Sequence, residues 1–399
     1  MKKNNILVIT YWSFENALIQ TYTLPYLLQI KKYLSKESKI YLFTLAQNPY
    51  SGEKITKQLS DLKAIGIEVI YFKYHRFSFW MSIKMAFLVI YLCFFSFIKR
   101  IKTIHAWCTP GGAIGYLVSI ITQKELVLDS FETHAEVMLE SKTWQPNSLA
   151  FKILFKLEEL QLKRAREVIC ASANMINHSK KVYGINKPRY FVKPACVDLD
   201  LFDRTKIPDV DKKSLGLKSI VCTYAGKFGD MYLEQEVFDL LAVAYSYWKG
   251  DFSALLLTNL SDEKISEFCI KSSLPREVVI NRFVPFSEVP KFMKLGTFGI
   301  CPVKPIPSRA FGTPIKNGEY WALGLPVIIT KNISIDSHLI KSLNMGYVLE
   351  DLTREEYLKS VQKIDELLQE KTLNQRIRLI AESERNFSKA DKIYQQIYS

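Results

Sequence analysis

The sequence predicts an α/β protein of two domains, each a parallel β-sheet covered by helices. Three observations carry this. Short apolar runs alternate with helical patterns along the chain, the signature of strand–helix–strand units. The alternation breaks at 206–213, a polar stretch with Pro208 and no hydrophobic period, and then resumes. The length of 399 residues exceeds one comfortable core and suits two. A 48% hydrophobic and 13% aromatic content supplies both cores and excludes a disordered chain.

The first series places strands over 6–10, 39–45, 68–72, 103–107, 125–129 and 168–171. Helices are expected over 18–34, 53–64, 79–99, 113–122, 148–166 and 172–183. The run at 6–10 is too short for a signal peptide and lacks a small-residue cleavage site, so it reads as a buried strand. The second series places strands over 219–224, 252–258, 278–280, 298–302, 327–330 and 347–349, with helices over 233–248, 262–272, 287–295, 315–323 and 354–370. The boundaries are a domain over 1–205, a linker over 206–213, a domain over 214–373, and a helical tail over 374–399 that packs back toward the first domain. In parallel sheets ligands bind beyond the carboxyl ends of the strands. Two such sheets facing each other would frame a cleft, so the loops after strands are where chemistry is expected.

The seven cysteines have no C-x-x-C spacing, and most lie in apolar runs such as Val168-Ile169-Cys170-Ala171. They read as reduced, buried thiols of a cytoplasmic protein, which excludes a disulfide scaffold and a zinc site. Net charge is +14, and residues 1–105 hold 15 Lys and Arg against 5 Asp and Glu. A quarter this basic suits polyanions or an anionic membrane surface, or is a solvated face with no partner. No nucleic-acid-binding motif accompanies it. The same quarter contains the apolar run 85–98, preceded by Lys84 and followed by Lys99, Arg100 and Lys102. Fourteen residues rise only about 21 Å as a helix, short of the roughly 30 Å hydrocarbon core. The run is therefore a helix buried on the first sheet or one with a face on lipid headgroups.

Three constellations carry chemistry. Tyr224-Ala225-Gly226-Lys227-Phe228-Gly229-Asp230 follows the first strand of the second domain and precedes a long helix. Gly226 and Gly229 let backbone approach a ligand, the helix start favours anions, and Lys227 adds a cation, which makes a diphosphate seat. An ordinary strand-to-helix turn with a solvated lysine fits the same residues. In Pro314-Ile315-Lys316-Asn317-Gly318-Glu319, Lys316 and Glu319 share one helical face. The cation can neutralise phosphate, and the carboxylate can accept two hydrogen bonds from a ribose diol. An internal salt bridge is the alternative. His134, between Glu132 and Glu136 after the strand 125–129, can bond a sugar hydroxyl or assist an acceptor, or can be structural. Gly111-Gly112 reads either as a second helix start near the ligand or as a tight turn. His75, His105, His178 and His338 have no comparable setting. Asp198-Leu199-Asp200 and Asp209-Val210-Asp211 lie at or in the linker and read as solvated turn residues, so no catalytic metal is expected.

The segment 314–328, ending Gly324-Leu325-Pro326-Val327-Ile328, resembles the donor-binding signature of retaining glycosyltransferases of family 4 type, which have the GT-B architecture of two Rossmann-like domains. Glu319 matches that family's ribose-gripping glutamate. Phe311 stands where the family commonly has another glutamate, on the donor sugar, and the neighbouring Arg309 to Thr313 offer substitutes. Residues 131–138 resemble a first-domain active-site loop. Residues 165–172 resemble the strand that closes the first domain, and residues 192–198 the strand and turn before the linker.

The resemblance implies a transferase that moves a sugar from a nucleotide-sugar donor to a hydroxyl acceptor with retention of configuration. From the cysteines, the basic first quarter and the apolar run, it is expected in the cytoplasm, peripheral on the membrane where the run 85–98 meets lipid. The acceptor would be a surface-polysaccharide or glycolipid intermediate, lipid-linked in the latter case. Gly226, Lys227, Gly229, Thr313, Lys316 and Glu319 would bind the donor, with Lys227, Lys316 and His134 acting in catalysis. Glu132, His134, Gly111 and Gly112 would face sugar or acceptor. No cofactor is implied. A sugar-nucleotide 2-epimerase of the same plan and a catalytically silent scaffold are the alternatives.

Overall fold

Thirteen strands form two wholly parallel sheets in the computed structural model, which describes residues 3–46, 48–73 and 79–399, the side chains of 79–83 excepted. The strands of the first sheet are β1 (Asn5–Ile9), β2 (Ile40–Ala46), β3 (Ile67–Lys73), β4 (Ile101–Trp107), β5 (Glu125–Phe131), β6 (Glu167–Cys170) and β7 (Arg189–Val192). They lie in the order β3-β2-β1-β4-β5-β6-β7. The second sheet is built from β8 (Ile220–Ala225), β9 (Phe252–Leu257), β10 (Val279–Arg282), β11 (Phe298–Cys301), β12 (Val327–Thr330) and β13 (Gly346–Leu349), in the order β10-β9-β8-β11-β12-β13. Every strand of β1, β2, β8 and β9 is buried along its length or nearly so, as continuous Val/Ile/Leu runs require when helices cover both faces. Each order reverses direction once, between β1 and β4 and between β8 and β11. These are the switch points where a doubly wound sheet opens a crevice at its strand ends.

The chain divides into one unit of Met1–Lys193 with Ser388–Ser399, and a second of Pro194–Phe387. This corrects the reading of a break at 206–213. Val197 and Phe202 are buried in the core of the second unit, so the crossing precedes the polar stretch. The tail divides as well. The helix Leu373–Glu384 belongs to the second unit and the helix Ser388–Tyr398 to the first. All seven cysteines are free, six of them buried.

In the first unit, the last helix is held by a fully buried polar network. Lys193 Nζ lies 2.5 Å from Asp129 Oδ1, and Tyr394 donates to Asp129 Oδ2 at 2.7 Å. His105 Nε2 sits 3.1 Å from Asp129 Oδ2, with its Nδ1 2.5 Å from the Tyr398 hydroxyl. The Lys193 ammonium also lies over the Tyr26 and Trp107 rings, at 3.7 and 4.7 Å. Burial by itself would raise the Asp129 pKa, but Lys193 and His105 overcome it and hold the carboxyl far below its ordinary range. His105 is thus a structural residue.

Candidate functional site

The loops after β8 and β11 flank the switch point of the second sheet, and four cationic side chains meet there. The loop after β8 turns at two glycines with positive φ, Gly226 (+155°) and Gly229 (+81°). The Tyr224 hydroxyl fastens it by donating to the Lys227 carbonyl at 2.5 Å. Tyr232 then pairs with Val303 in the loop after β11. The helix Ile315–Ala322 begins beyond that loop and stops at Gly324, whose φ of +71° ends it as expected.

Lys316 reaches back from this helix to the first loop. Its Nζ donates to the Tyr232 hydroxyl at 3.2 Å and lies 4.5 Å from the centroid of that ring. A Cβ at Gly226 would fall 2.4 Å from Lys316 Cε, and its φ of +155° is one that side chains rarely adopt, so glycine lets the Lys316 side chain pack close over the loop. Burial opposes the Lys316 charge, but Tyr232 and Glu319 offset it and leave its pKa above the ordinary lysine value. Gly226 and Lys316, ninety positions apart, therefore form one seat.

Glu319 is one turn further on and 7% exposed. Its carboxylate forms no hydrogen bond or ion pair among the described residues. Burial pushes its pKa up to about 7, with Lys316 opposing the rise. The salt-bridge alternative is not what the structure shows, since no Lys316–Glu319 pair forms. The side chain is largely packed away, its carboxylate oxygens keep a path to solvent or ligand, and the group lies beside a cation at the mouth of a switch point.

Lys227 has a different setting. Its side chain is 56% exposed and pairs with Asp230 Oδ2 at 2.6 Å. Lys304 donates to the Asp230 carbonyl at 2.7 Å, and Arg309 Nη1 donates to Met231 Sδ at 3.4 Å. The Arg309 Nε is buried with no partner among the described residues. Arg309 was legible only as part of a neighbourhood, and Lys304 and Tyr232 carried no signal, because their contacts to the first loop are non-local. Thr313 accepts the Ala195 amide at 2.8 Å, so its hydroxyl oxygen holds the crossing segment. Phe311 follows the short 3₁₀ turn Pro307–Ala310 and is half-buried.

In the first unit, residues 131–138 are not all loop. His134 opens a seven-residue helix, His134–Glu140. The fully buried Glu158 fixes its start by accepting the Ala135 amide at 2.9 Å and the Tyr183 hydroxyl, also at 2.9 Å. Burial pushes the Glu158 carboxyl up to about 8, against these hydrogen bonds. His134 Nδ1 lies 3.2 Å from Glu132 Oε1, and both side chains remain partly exposed. Gly111 and Gly112 lie inside the helix Cys108–Thr122, which starts five residues earlier than its apolar period suggested. Both are buried. A Cβ on Gly111 would come within 2.8 Å of the Ile9 carbonyl and one on Gly112 within 1.9 Å of Gln161 Oε1. Close packing of this helix start on β1 and on Gln161 requires both glycines, which lie in a helix and not in a tight turn. His75 lies outside the described residues. Asp198 and Asp211 accept backbone amides in turns, while Asp200 and Asp209 are exposed partners of Lys206 and Lys294.

No protein-family profile and no curated protein sequence matches the chain. Solved structures do match over its whole length. Anabaena HepE in complex with UDP and glucose aligns with a TM-score of 0.70 at 15% identity, covering 100% of both chains. WaaG, a glycosyltransferase involved in lipopolysaccharide biosynthesis, aligns with a TM-score of 0.70 at 14% identity over 99% of each. A UDP-N-acetylglucosamine 2-epimerase aligns less well, with a TM-score of 0.63 at 13% identity over 99% of this chain and 95% of its own. Two parallel Rossmann-like units with this coverage give the chain the GT-B architecture.

Proposed function

We propose that the protein transfers a glycosyl unit from a nucleotide sugar to a hydroxyl acceptor, with retention of configuration and without a metal. The observation that carries this reading is the Glu319 carboxylate, on a largely buried side chain, with no hydrogen-bond partner among the described residues and set on the helix that brings Lys316 to Gly226. A ribose diol supplies the two donors this carboxylate lacks, and the attached diphosphate falls to the cations around the loop after β8. HepE was solved with UDP and glucose bound, and WaaG acts in lipopolysaccharide biosynthesis. HepE supports a nucleotide-sugar donor, and WaaG supports glycosyl transfer in a surface-glycan setting.

In the reaction the bond from the anomeric carbon to the diphosphate oxygen breaks, and its electron pair leaves with the nucleoside diphosphate. The acceptor oxygen bonds to the anomeric carbon and passes its proton to the departing diphosphate oxygen. Lys316, Lys227 and Arg309 stabilise the growing diphosphate charge, as preorganised cations do. His134, oriented by Glu132, acts on the sugar or the acceptor.

The test is incubation of the protein with a panel of nucleotide sugars, with and without a hydroxyl acceptor. The proposal expects nucleoside diphosphate to be released only when the acceptor is present, and the product's anomeric configuration by NMR to match the donor's. Conversion of the donor alone would make the protein a 2-epimerase. Neither binding nor turnover of any donor would make it a scaffold.

A further inference from the structure

The helix Phe79–Ile98 buries one face and leaves the other apolar. Leu88, Leu92, Cys93 and Ser96 are buried, and the Phe95 ring packs edge-on against Tyr41 of β2 at 5.1 Å. The opposite stripe is Phe87, Ile90, Tyr91, Phe94, Phe97 and Ile98, all exposed, with Phe94 at 66%. Their spacing of three and four residues places them along one side of the helix. In water that side should be polar. The helix Cys108–Thr122 packs alongside and extends the patch with exposed Leu117 and Ile121. Scattered exposed apolar residues are ordinary, but a continuous stripe of this size marks an interaction surface.

Cations rim the patch. Lys84 is exposed at one end, and Lys99, Arg100 and Lys102 are exposed at the other. Lys124 lies over the Phe97 ring at 5.6 Å, and Lys99 over the Phe95 ring at 6.0 Å. Neither helix contains an acidic residue. Glu125, the nearest carboxylate in sequence, is paired with Arg166 at 2.7 Å.

We propose that this face docks on a bilayer surface containing anionic phospholipid. The helix lies in the plane of the interface, with Phe87, Ile90, Phe94 and Phe97 in the acyl boundary and the cations at the phosphates. Among the described residues no helix is long and apolar enough to cross a membrane. A second copy of the chain is a poor occupant. A two-fold contact would set this basic rim against its own copy with no carboxylate to neutralise it.

The experiment is sedimentation of the full chain, without nucleotide, with vesicles of phosphatidylcholine alone or mixed with phosphatidylglycerol. The protein should pellet with the mixed vesicles at low salt, leave them as salt rises, and stay in solution with phosphatidylcholine. Phe94→Gln with Phe97→Gln should weaken the partition by about tenfold or more, as should Arg100→Gln with Lys102→Gln. A Phe94→Trp variant keeps the test independent of lost function. Its emission should be quenched by brominated phosphatidylglycerol. Equal binding to both vesicle types, an unquenched tryptophan on pelleted protein, or a concentration-dependent dimer without vesicle binding would each overturn the proposal.

Discussion

Replacing Glu319 by glutamine should make the protein more stable and a worse binder at once. The carboxyl is buried, and burial has pushed its pKa from the ordinary 4.5 up to about 7. The folded second unit thus holds this proton more tightly than the unfolded chain. Between pH 4.5 and 7 the folded state binds more protons, so stability falls as pH rises through that window, and the loss is complete above it. Its upper size is about 3 kcal/mol, from 1.36 kcal/mol per pH unit. Glutamine is never ionised and escapes the loss. At pH 8, Glu319→Gln should therefore raise the thermal midpoint of the second unit, with a ceiling of roughly 6–12 °C at 2–4 °C per kcal/mol for a unit of this size. Below pH 4.5 the two proteins should melt together. Binding should move the other way. If the ionised carboxylate accepts from a ribose diol, the variant should lose about 1.5–3 kcal/mol, roughly ten- to 150-fold in Kd. For the native protein, affinity should fall as pH drops below about 7, and binding near pH 7 should release protons. UDP-glucose is the probe, because its diphosphate diester has no group titrating near neutrality. The assays are calorimetric melts across pH and titration calorimetry in buffers of different ionisation enthalpy. A variant less stable at pH 8 that binds UDP-glucose as the native protein does would refute the reasoning, because the carboxylate would then be a structural group.

Lys316→Ala should weaken nucleotide-sugar binding more than Lys227→Ala, since Lys316 rests on the loop backbone while Lys227 is exposed and paired with Asp230. Titration calorimetry of both variants gives the order. His134→Ala should lower kcat/KM by about 10²–10⁴, the span of acid–base assistance, with nucleoside diphosphate binding nearly unchanged; full transfer activity would make His134 structural. Lys193→Met should destabilise the first unit by about 3–5 kcal/mol, as removing one partner of a buried ion pair does. Denaturant unfolding measures it, and a loss below 1 kcal/mol would show that the network around Asp129 tolerates the missing charge.

The sheets were legible because parallel strands buried on both faces are nearly pure apolar runs, as in Ile6-Leu7-Val8-Ile9 and Ala254-Leu255-Leu256-Leu257. Gly324 marked a helix end for the same local reason. What escaped depends on partners far along the chain. The helix His134–Glu140 is too short for a period of its own, and its start is fixed by Glu158, 23 positions on. The crossing at 193/194 was hidden because Val197 and Phe202 show their burial only once the second core exists. The network that fastens the last helix joins Asp129 to Tyr394 across 265 positions. In the site, Lys316 and Glu319 stood out by their shared helical face. Lys304 and Arg309 did not, because the loop after β11 has prolines at 302, 305 and 307 and no hydrophobic period, and Tyr232 did not, because its partners Val303 and Lys316 lie far along the chain.

The central claim is that the switch point of the second sheet holds a nucleotide sugar by its ribose and diphosphate. A crystal structure with bound UDP-glucose, or with whichever nucleotide sugar of the panel binds tightest, tests this most directly. Both ribose hydroxyls should lie within hydrogen-bond distance of the Glu319 carboxylate, and a diphosphate oxygen within reach of Lys316 Nζ above Gly226. A nucleotide bound elsewhere, or seated here with its ribose turned away from Glu319, would contradict it.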